Sequence, residues 1–386
     1  MYTIAKDHQK RYNTKIHNHL IAKVLTPYHY LHALNTIPQV GSQALRKLLE
    51  YFDTPEEIWK ASPAALKASG MNEKSLSVFL EMKASLDIRA EWELLETSDI
   101  ALITEEDAAY PVLLKEIHNP PFIIYKRGTF DWNNKPLITI VGSRHCTAYG
   151  ERVTETFSQD LVNAGFGIAS GLAFGIDTAA HKGVLKAQGD TVAVLGNSLD
   201  DASVSPHSQL KLAKAILNQG GALLSEYPPI TSATPYTFPA RNRILAGISQ
   251  GVIVIEAAKR SGSLITAHFA LDFNREVFAV PGSIFSEASE GPHELIRSGA
   301  KISTGIQDIL EELRPKNTDS TIPKNPSVAL SLDEKKIVSI LSSEPTHIDK
   351  ILKATTLDTS LVQSTLVFLE VKGLIKNIGG MHYIRL

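Results

Sequence analysis

The residues of this chain that could do chemistry fall in five short segments, each carrying glycine, hydroxyl, amide or guanidinium groups. The first is Gly142-Ser143-Arg144. The second runs from Ser170-Gly171 through Gly175 to Asp177, with His181 and Lys182 following. The third is Gly196-Asn197-Ser198, the fourth is Phe238-Pro239-Ala240-Arg241-Asn242-Arg243, and the fifth is Lys259-Arg260-Ser261-Gly262-Ser263. Glycine permits close backbone approach, hydroxyls donate, and guanidinium grips phosphate oxygens bidentately. Together they point to phosphate binding. Taken singly, a glycine there is often only a tight turn, Asp177 and Glu256 read as caps or loop braces, and His181 reads as a packing residue rather than a general base.

Most of these segments follow short β-branched runs. Leu137–Val141, Phe166–Ala169, Thr191–Leu195, Ala222–Leu224, Gly251–Ile255 and Val277–Val280 alternate with helical stretches such as Tyr149–Ala164. Such alternation means right-handed βαβ units and an α/β fold with an extended Rossmann-like parallel sheet, apolar throughout because helices cover both faces. Ligands bind such sheets at the carboxyl ends of strands, where helix N-termini present free N–H groups. Pro239 is placed as the first residue of a helix.

Five segments follow along the chain. Residues 1–27 form a polar tail, and residues 28–90 a helical domain with breaks at Pro38-Gln39-Val40-Gly41 and Ala68-Ser69-Gly70-Met71. That is the outline of helix-hairpin-helix (SAM-like) units, whose glycine turns can meet a DNA phosphate. Neither turn carries Lys or Arg, which favours plain packing. Residues 91–312 hold the Rossmann-like domain with a connector in front, 313–332 a linker rich in Pro, Lys and Asn, and 333–386 a small winged-helix domain.

The chain of 386 residues carries a net charge of -2, so a nucleic-acid partner would have to be met by a local basic patch. The single cysteine, Cys146, supports neither a disulfide nor a zinc site by itself, and neither metal nor cofactor is expected. The lack of a leader-like or membrane-length apolar run points to a cytoplasmic protein with no membrane partner.

Known nucleotide loops are missing. No Gly-x-x-x-x-Gly-Lys-Ser/Thr occurs, and Gly165-x-Gly167-x-x-x-Gly171 lies across a strand rather than after one. What the residues do match, in order over roughly residues 30–310, is a family. Ile140–Arg144, Ser170–His181, Leu224–Pro228, Phe238–Ile244, Arg260–Ala267 and Arg275–Ser283 resemble the DNA-processing protein A (DprA/Smf) family. The resemblance implies a protein that binds single-stranded DNA, usually as a homodimer. Such a protein helps load the recombinase RecA onto incoming DNA during natural transformation, without catalysis. By position it places Gly142, Ser143 and Arg144 in the DNA groove, with Arg241 and Arg243 as further phosphate partners and Lys211 as an additional candidate. Asn197-Ser198, Val204-Ser205-Pro206 and Gly291-Pro292-His293 depart from the family's usual residues.

Single-strand binders pair a basic groove with aromatic faces. Arg144, Arg241, Arg243, Lys259 and Arg260 are the candidates for the first, and Phe174, Tyr236 and Phe238 for the second, with Phe174 and Phe238 equally suited to a core. The rival is an enzyme, a nucleotide phosphoribohydrolase of the lysine-decarboxylase-like type. Its loop fits at Gly262 and Thr266 but puts Phe269 where the catalytic glutamate belongs. A third possibility, duplex reading by the C-terminal domain, meets a recognition helix (residues 357–371) without Lys or Arg, which favours a protein-contact or packing role there.

Overall fold

The computed structural model describes residues 24–313 and 331–385, apart from 343, 356, 372 and 373. Most of the expected polar tail and linker therefore lies outside the described residues. The chain divides into two compact units, one ending at Pro315 and one starting at Lys316.

In the first unit, six helices come first: α1 (Pro27–Thr36), α2 (Ser42–Tyr51), α3 (Pro55–Lys60), α4 (Pro63–Ala68), α5 (Glu73–Ser85) and α6 (Ile88–Thr97). Their ends are written in the sequence. Thr54, Ser62, Asn72 and Asp87 cap α3, α4, α5 and α6 by accepting backbone N–H groups, and Pro55 and Pro63 sit at first positions where no N–H is needed. Residue 90, expected as a boundary, falls inside α6, which packs on α1 and buries Ile88 and Leu95.

The connector in front of the parallel strands adds two strands and a short helix. These are β1 (Ala101–Thr104), α7 (Val112–Lys115) and β2 (Ile123–Gly128). Then come β3 (Leu137–Val141), α8 (Ala148–Asn163), β4 (Gly167–Ser170), α9 (Ile176–Lys186), β5 (Thr191–Val194), α10 (Leu210–Asn218), β6 (Ala222–Ser225) and α11 (Thr237–Gly247). The unit closes with β7 (Gly251–Val254), α12 (Ser263–Asp272), β8 (Glu276–Ala279), α13 (Glu290–Arg297), β9 (Lys301–Ile302) and α14 (Ile306–Leu313). Pro239 is the third residue of α11, not the first.

The nine strands form one sheet in the order β1-β2-β6-β5-β4-β3-β7-β8-β9. From β6 to β9 the pairing is parallel; β2 joins β6 antiparallel, with Tyr125 opposite Ser225. The chain moves outward from β3 through β4 and β5 to β6, then crosses back by α11 to β7 on the other side of β3. That reversal opens a crevice beyond the carboxyl ends of β3 and β7.

Both sheet faces are covered, and the apolar residues alternate between them. Val141, Val252 and Val254 pack under α11 and α12 with Leu245 and Leu264, while Ile138, Ile140 and Ile253 pack under α8 and α9 with Phe157 and Ile176. The helical layer is not a separate body, because Leu34, Leu45 and Phe79 share one core with Ile123, Tyr125, Ala193 and Leu223 of the sheet. A buried polar link runs through that core. The His32 Nε2 donates to the Glu91 carbonyl, so its Nδ1 is bare and accepts the Tyr125 hydroxyl proton (3.0 Å), while the Asn35 amide donates to the same hydroxyl (3.1 Å).

The second unit holds α15 (Leu332–Ile340), β10 (Thr346–His347), α16 (Ile348–Thr355), α17 (Thr359–Val371), β11 (Ile375–Asn377) and β12 (His382–Arg385). The strands form a small antiparallel sheet in the order β10-β12-β11, the winged-helix arrangement expected. Its core is Ile337, Ile351, Val362, Leu366 and Leu369. Among the described residues no helix is long and apolar enough to cross a membrane.

The polar link yields two predictions. Tyr125→Phe leaves the Asn35 donor and His32 acceptor without their partner, and should cost about 1–3 kcal/mol of stability in chemical denaturation while keeping one transition for the first unit. Burial also holds His32 at about 4, against 6.5 for a free imidazole. The unfolded chain then binds a proton that the folded chain refuses, so stability present above that ordinary value falls as pH drops through the window to about 4. Urea midpoints at about pH 7 and about pH 4.5 should differ accordingly; equal midpoints would contradict a neutral buried His32.

Candidate nucleic-acid interface

A cavity of about 810 Å³ lies at the crevice where the strand order reverses, lined by the ends of β3 and β7, the start of α12 and one side of α11. Of the residues singled out in sequence, it gathers Gly142, Ser143, Arg144, Arg241, Asn242, Ser261, Gly262 and Ser263.

The loop after β3 is locked from both sides. The Ser143 N–H donates to the Glu256 carbonyl (2.7 Å), and the Ser143 carbonyl accepts the first N–H of α9. A side chain at Gly142 would stand 2.6 Å from Ile176 and 2.8 Å from the Glu256 carbonyl, so this glycine serves the interlock. The Glu256 carboxylate accepts from the N–H and hydroxyl of Thr147, the residue that caps α8. The acid braces a loop, as read from sequence. Arg144, next in the chain, is exposed and its guanidinium lies over the Phe238 ring at 5.4 Å. Lys259 and Arg260 are also exposed, and among the described residues none of these three cations is in an ion pair. Phe174 and Tyr236 are exposed at 48% and 86%, and Phe238 is half-buried.

Arg241 differs from the other cations. It is 5% exposed, and its Nη1 donates to the carbonyls of Gly171 (2.8 Å) and Val194, while Nε donates to the Asn242 side-chain oxygen (3.2 Å). It therefore forms the floor of the crevice and joins the ends of β4 and β5. The Asn242 amide donates to the Gly262 carbonyl (3.2 Å) and adds the loop after β7 to the same knot.

The second expected loop is support rather than contact surface. Ser170 is fully buried and donates to the Ile140 carbonyl. Gly171 makes room for Arg241, because a Cβ there would lie 2.2 Å from the guanidinium. Gly175, with φ of 71°, faces the Ser143 carbonyl at 2.2 Å from a Cβ position. Asp177 accepts from the N–H groups of Gly171 and Ala173; burial pushes its carboxyl upward, opposed by Arg241 and those N–H groups. His181 is sealed beneath. Thr191 gives its proton to the Ile168 carbonyl, so the His181 Nδ1 donates to Thr191 and Nε2 is bare, and burial lowers the imidazole to about 3.

Three further expectations are corrected. Asn197 and Ser198 are fully buried; the Asn197 amide donates to carbonyls of its own loop and the Ser198 N–H to the Thr231 carbonyl after β6, so the third segment turns inward. Arg243 pairs with Glu226 and lines a different cavity. Lys211 is exposed on the first turn of α10 but does not line the crevice. Thr266, which entered the sequence reading only through the frame of the rival enzyme's loop, is 1% exposed and lines the crevice, and its hydroxyl has no hydrogen-bond partner among the described residues.

Residues 101–314 match the model of the family described as DNA recombination-mediator protein A, and residues 322–381 match the DprA winged helix domain. The chain belongs to the DNA recombination-mediator protein A family. It is 34% identical over 393 residues to Protein Smf of Synechocystis sp., covering 92% of this chain and 98% of that protein. It is 39% identical over 274 residues to the DNA processing protein DprA of Streptococcus pneumoniae, covering 70% and 93%. The X-ray structure of the S. pneumoniae protein matches with a TM-score of 0.63 at 36% identity, over 75% of this chain and 99% of that one. The family resemblance read from six blocks of sequence is thus established, as is the mixed α/β fold with its winged helix.

Gly171→Ala should drive a methyl into the Arg241 guanidinium, which two carbonyls hold in place, and lower stability by about 1–3 kcal/mol. Urea unfolding measures it, and wild-type stability would mean that Arg241 can leave its knot freely.

Proposed function

We propose that this protein binds single-stranded DNA in the crevice at the ends of β3 and β7 and presents the strand to a recombinase of the RecA type during natural transformation. The observation that carries this reading is the division of charge. Arg144 and Arg260 line the crevice and are exposed, and among the described residues neither they nor Lys259 is in an ion pair, while the buried Arg241 is spent on carbonyls. Exposed cations on flexible stems track a phosphate chain. The half-buried Phe238 face beneath Arg144 and the exposed Tyr236 offer stacking surfaces.

The chemistry supports binding without catalysis. The carboxylate lining the crevice, Asp177, is committed to two backbone N–H groups, and His181 lies neutral and buried below it. Neither can reach a sugar as acid or base. The proposal includes a homodimer, for which Ile284 and Phe285, 80% and 93% exposed on the loop after β8, offer apolar surface.

The test is a titration of the full chain with single- and double-stranded DNA of equal length at two salt concentrations. With about four phosphates contacted, log K against log salt should slope near -3 for the single strand. Arg144→Ala should weaken binding by about 1–3 kcal/mol. A flat salt response, or equal binding of the duplex, would sink the reading; release of free base from a nucleoside monophosphate would replace it with the enzyme.

A further inference from the structure

A second cavity, about 930 Å³, opens beside the first and has no role in the reading above. It is lined by both glycine turns of the helical layer, by Arg46 and Lys47 of α2, by Arg243 of α11 and by the end of α12. We propose that it is a second station for the same DNA single strand, reached by the chain as it leaves the crevice. The proposal rests on the crevice being the first station.

Continuity comes from α12, while on α11 the consecutive residues Asn242 and Arg243, about 100° apart round the helix, line the crevice and the second cavity respectively. On α12, Ile265 and Thr266 line the crevice while Phe269, Asp272 and Phe273 line the second cavity. Residues spaced by 3, 4 and 7 share one helix face, so the two cavities are successive stretches of one surface. From Thr266 to Phe273 the helix rises about 10 Å, the span of about three phosphates of a stacked strand.

The lining suits an unpaired strand. Phe269 and Phe273 are half-buried and stack on one another, with centroids 5.7 Å apart and planes 13° from parallel, presenting an aromatic face. The charged liners are Arg46, Lys47 and Arg243 against Glu226 and Asp272, with His118 adding a further donor. Arg46 and Arg243 are tied to Glu105 and Glu226, whereas Lys47 is exposed and in no ion pair among the described residues. Cations beside a stacking face are what a sequence-tolerant single-strand surface needs.

Gly41 adds an independent observation. Its φ of -85° suits any residue, and a Cβ there would meet nothing within 4 Å. Neither backbone conformation nor internal packing demands glycine at this position. It is the N-cap of α2 and makes no side-chain cap bond, and it lines the cavity with Ser42, Gln43 and Ala44 of the first turn. A strand's phosphate lying against the turn accounts for the missing side chain.

The experiment uses the full chain and fluorescently labelled oligo-dT of about 6 and about 20 nucleotides, lengths that fill the crevice alone or both stations. Gly41→Asp and Lys47→Glu are the variants. Aspartate is a better N-cap than glycine, so Gly41→Asp should fold at least as stably as wild type while placing a carboxylate against the phosphate path. Both variants should weaken the long strand roughly tenfold and leave the short one unchanged. Wild-type affinity for the long strand in both variants would overturn the second station. If wild type held neither oligonucleotide, or if Arg144→Ala left the short one unaffected, the crevice reading would fail first and this one with it.

Discussion

The architecture of the crevice depends on one buried cation. Arg241 arrives on the helix that returns the chain from one half of the sheet to the other, and its guanidinium is enclosed there. A desolvated guanidinium is costly unless every N–H finds an acceptor. The acceptors are the carbonyls at the ends of β4 and β5 and the amide of its neighbour Asn242, with Asp177 supplying opposite charge. Because those carbonyls belong to different strands, satisfying the cation sets the height of the loops above them. Gly171 follows from the same constraint, since any side chain there would occupy the guanidinium's place.

This arrangement divides the glycines and cations into two groups that look identical in sequence. Gly142, Gly171 and Gly175 are small because protein atoms press on them from within. Gly262 and Gly41 are pressed by nothing. Likewise Arg241 and Arg243 are consumed by carbonyls and by Glu226, whereas Arg144, Lys259 and Arg260 are exposed and in no ion pair among the described residues. A rigid interior holds the loops, and a separate set of groups faces outward.

The strand-helix alternation was legible in the sequence because β-branched runs and glycine turns are local signals, and the strands appear within a residue or so of where those runs lie. So was Arg144, placed just past the end of β3. The two antiparallel strands of the connector were not, since β1 is a four-residue strand whose pairing with β2 is a long-range event. Nor could sequence tell Arg241 from Arg144. Arg144 follows a strand end and Arg241 lies on α11, and only the fold decides which one carbonyls surround. The lack of Lys or Arg in the Gly41 and Gly70 turns pointed to packing. Yet the fold brings Arg46 and Lys47 from the following helix, and Arg243 from 200 residues further along, to the same cavity.

On the proposed reading, the distribution of charge is what lets a chain of net charge -2 hold a polyanion. Attraction over long distances is weak for such a molecule, so affinity has to come from contacts made within a Debye length of the phosphates, about 8 Å at physiological salt. A closed pocket would satisfy that requirement for one nucleotide by surrounding its phosphate with fixed N–H groups, as a P-loop does. Here the N–H groups of Gly171 and Ala173 are taken by Asp177 and the carbonyls beside them by Arg241, and the outward cations stand on flexible stems. Flexible cations adapt to successive phosphates but define no single position for any of them, while an aromatic face stacks every base alike. Such an arrangement suits a polymer better than a monomer, and suits it without regard to sequence, which is the form the proposed reading takes.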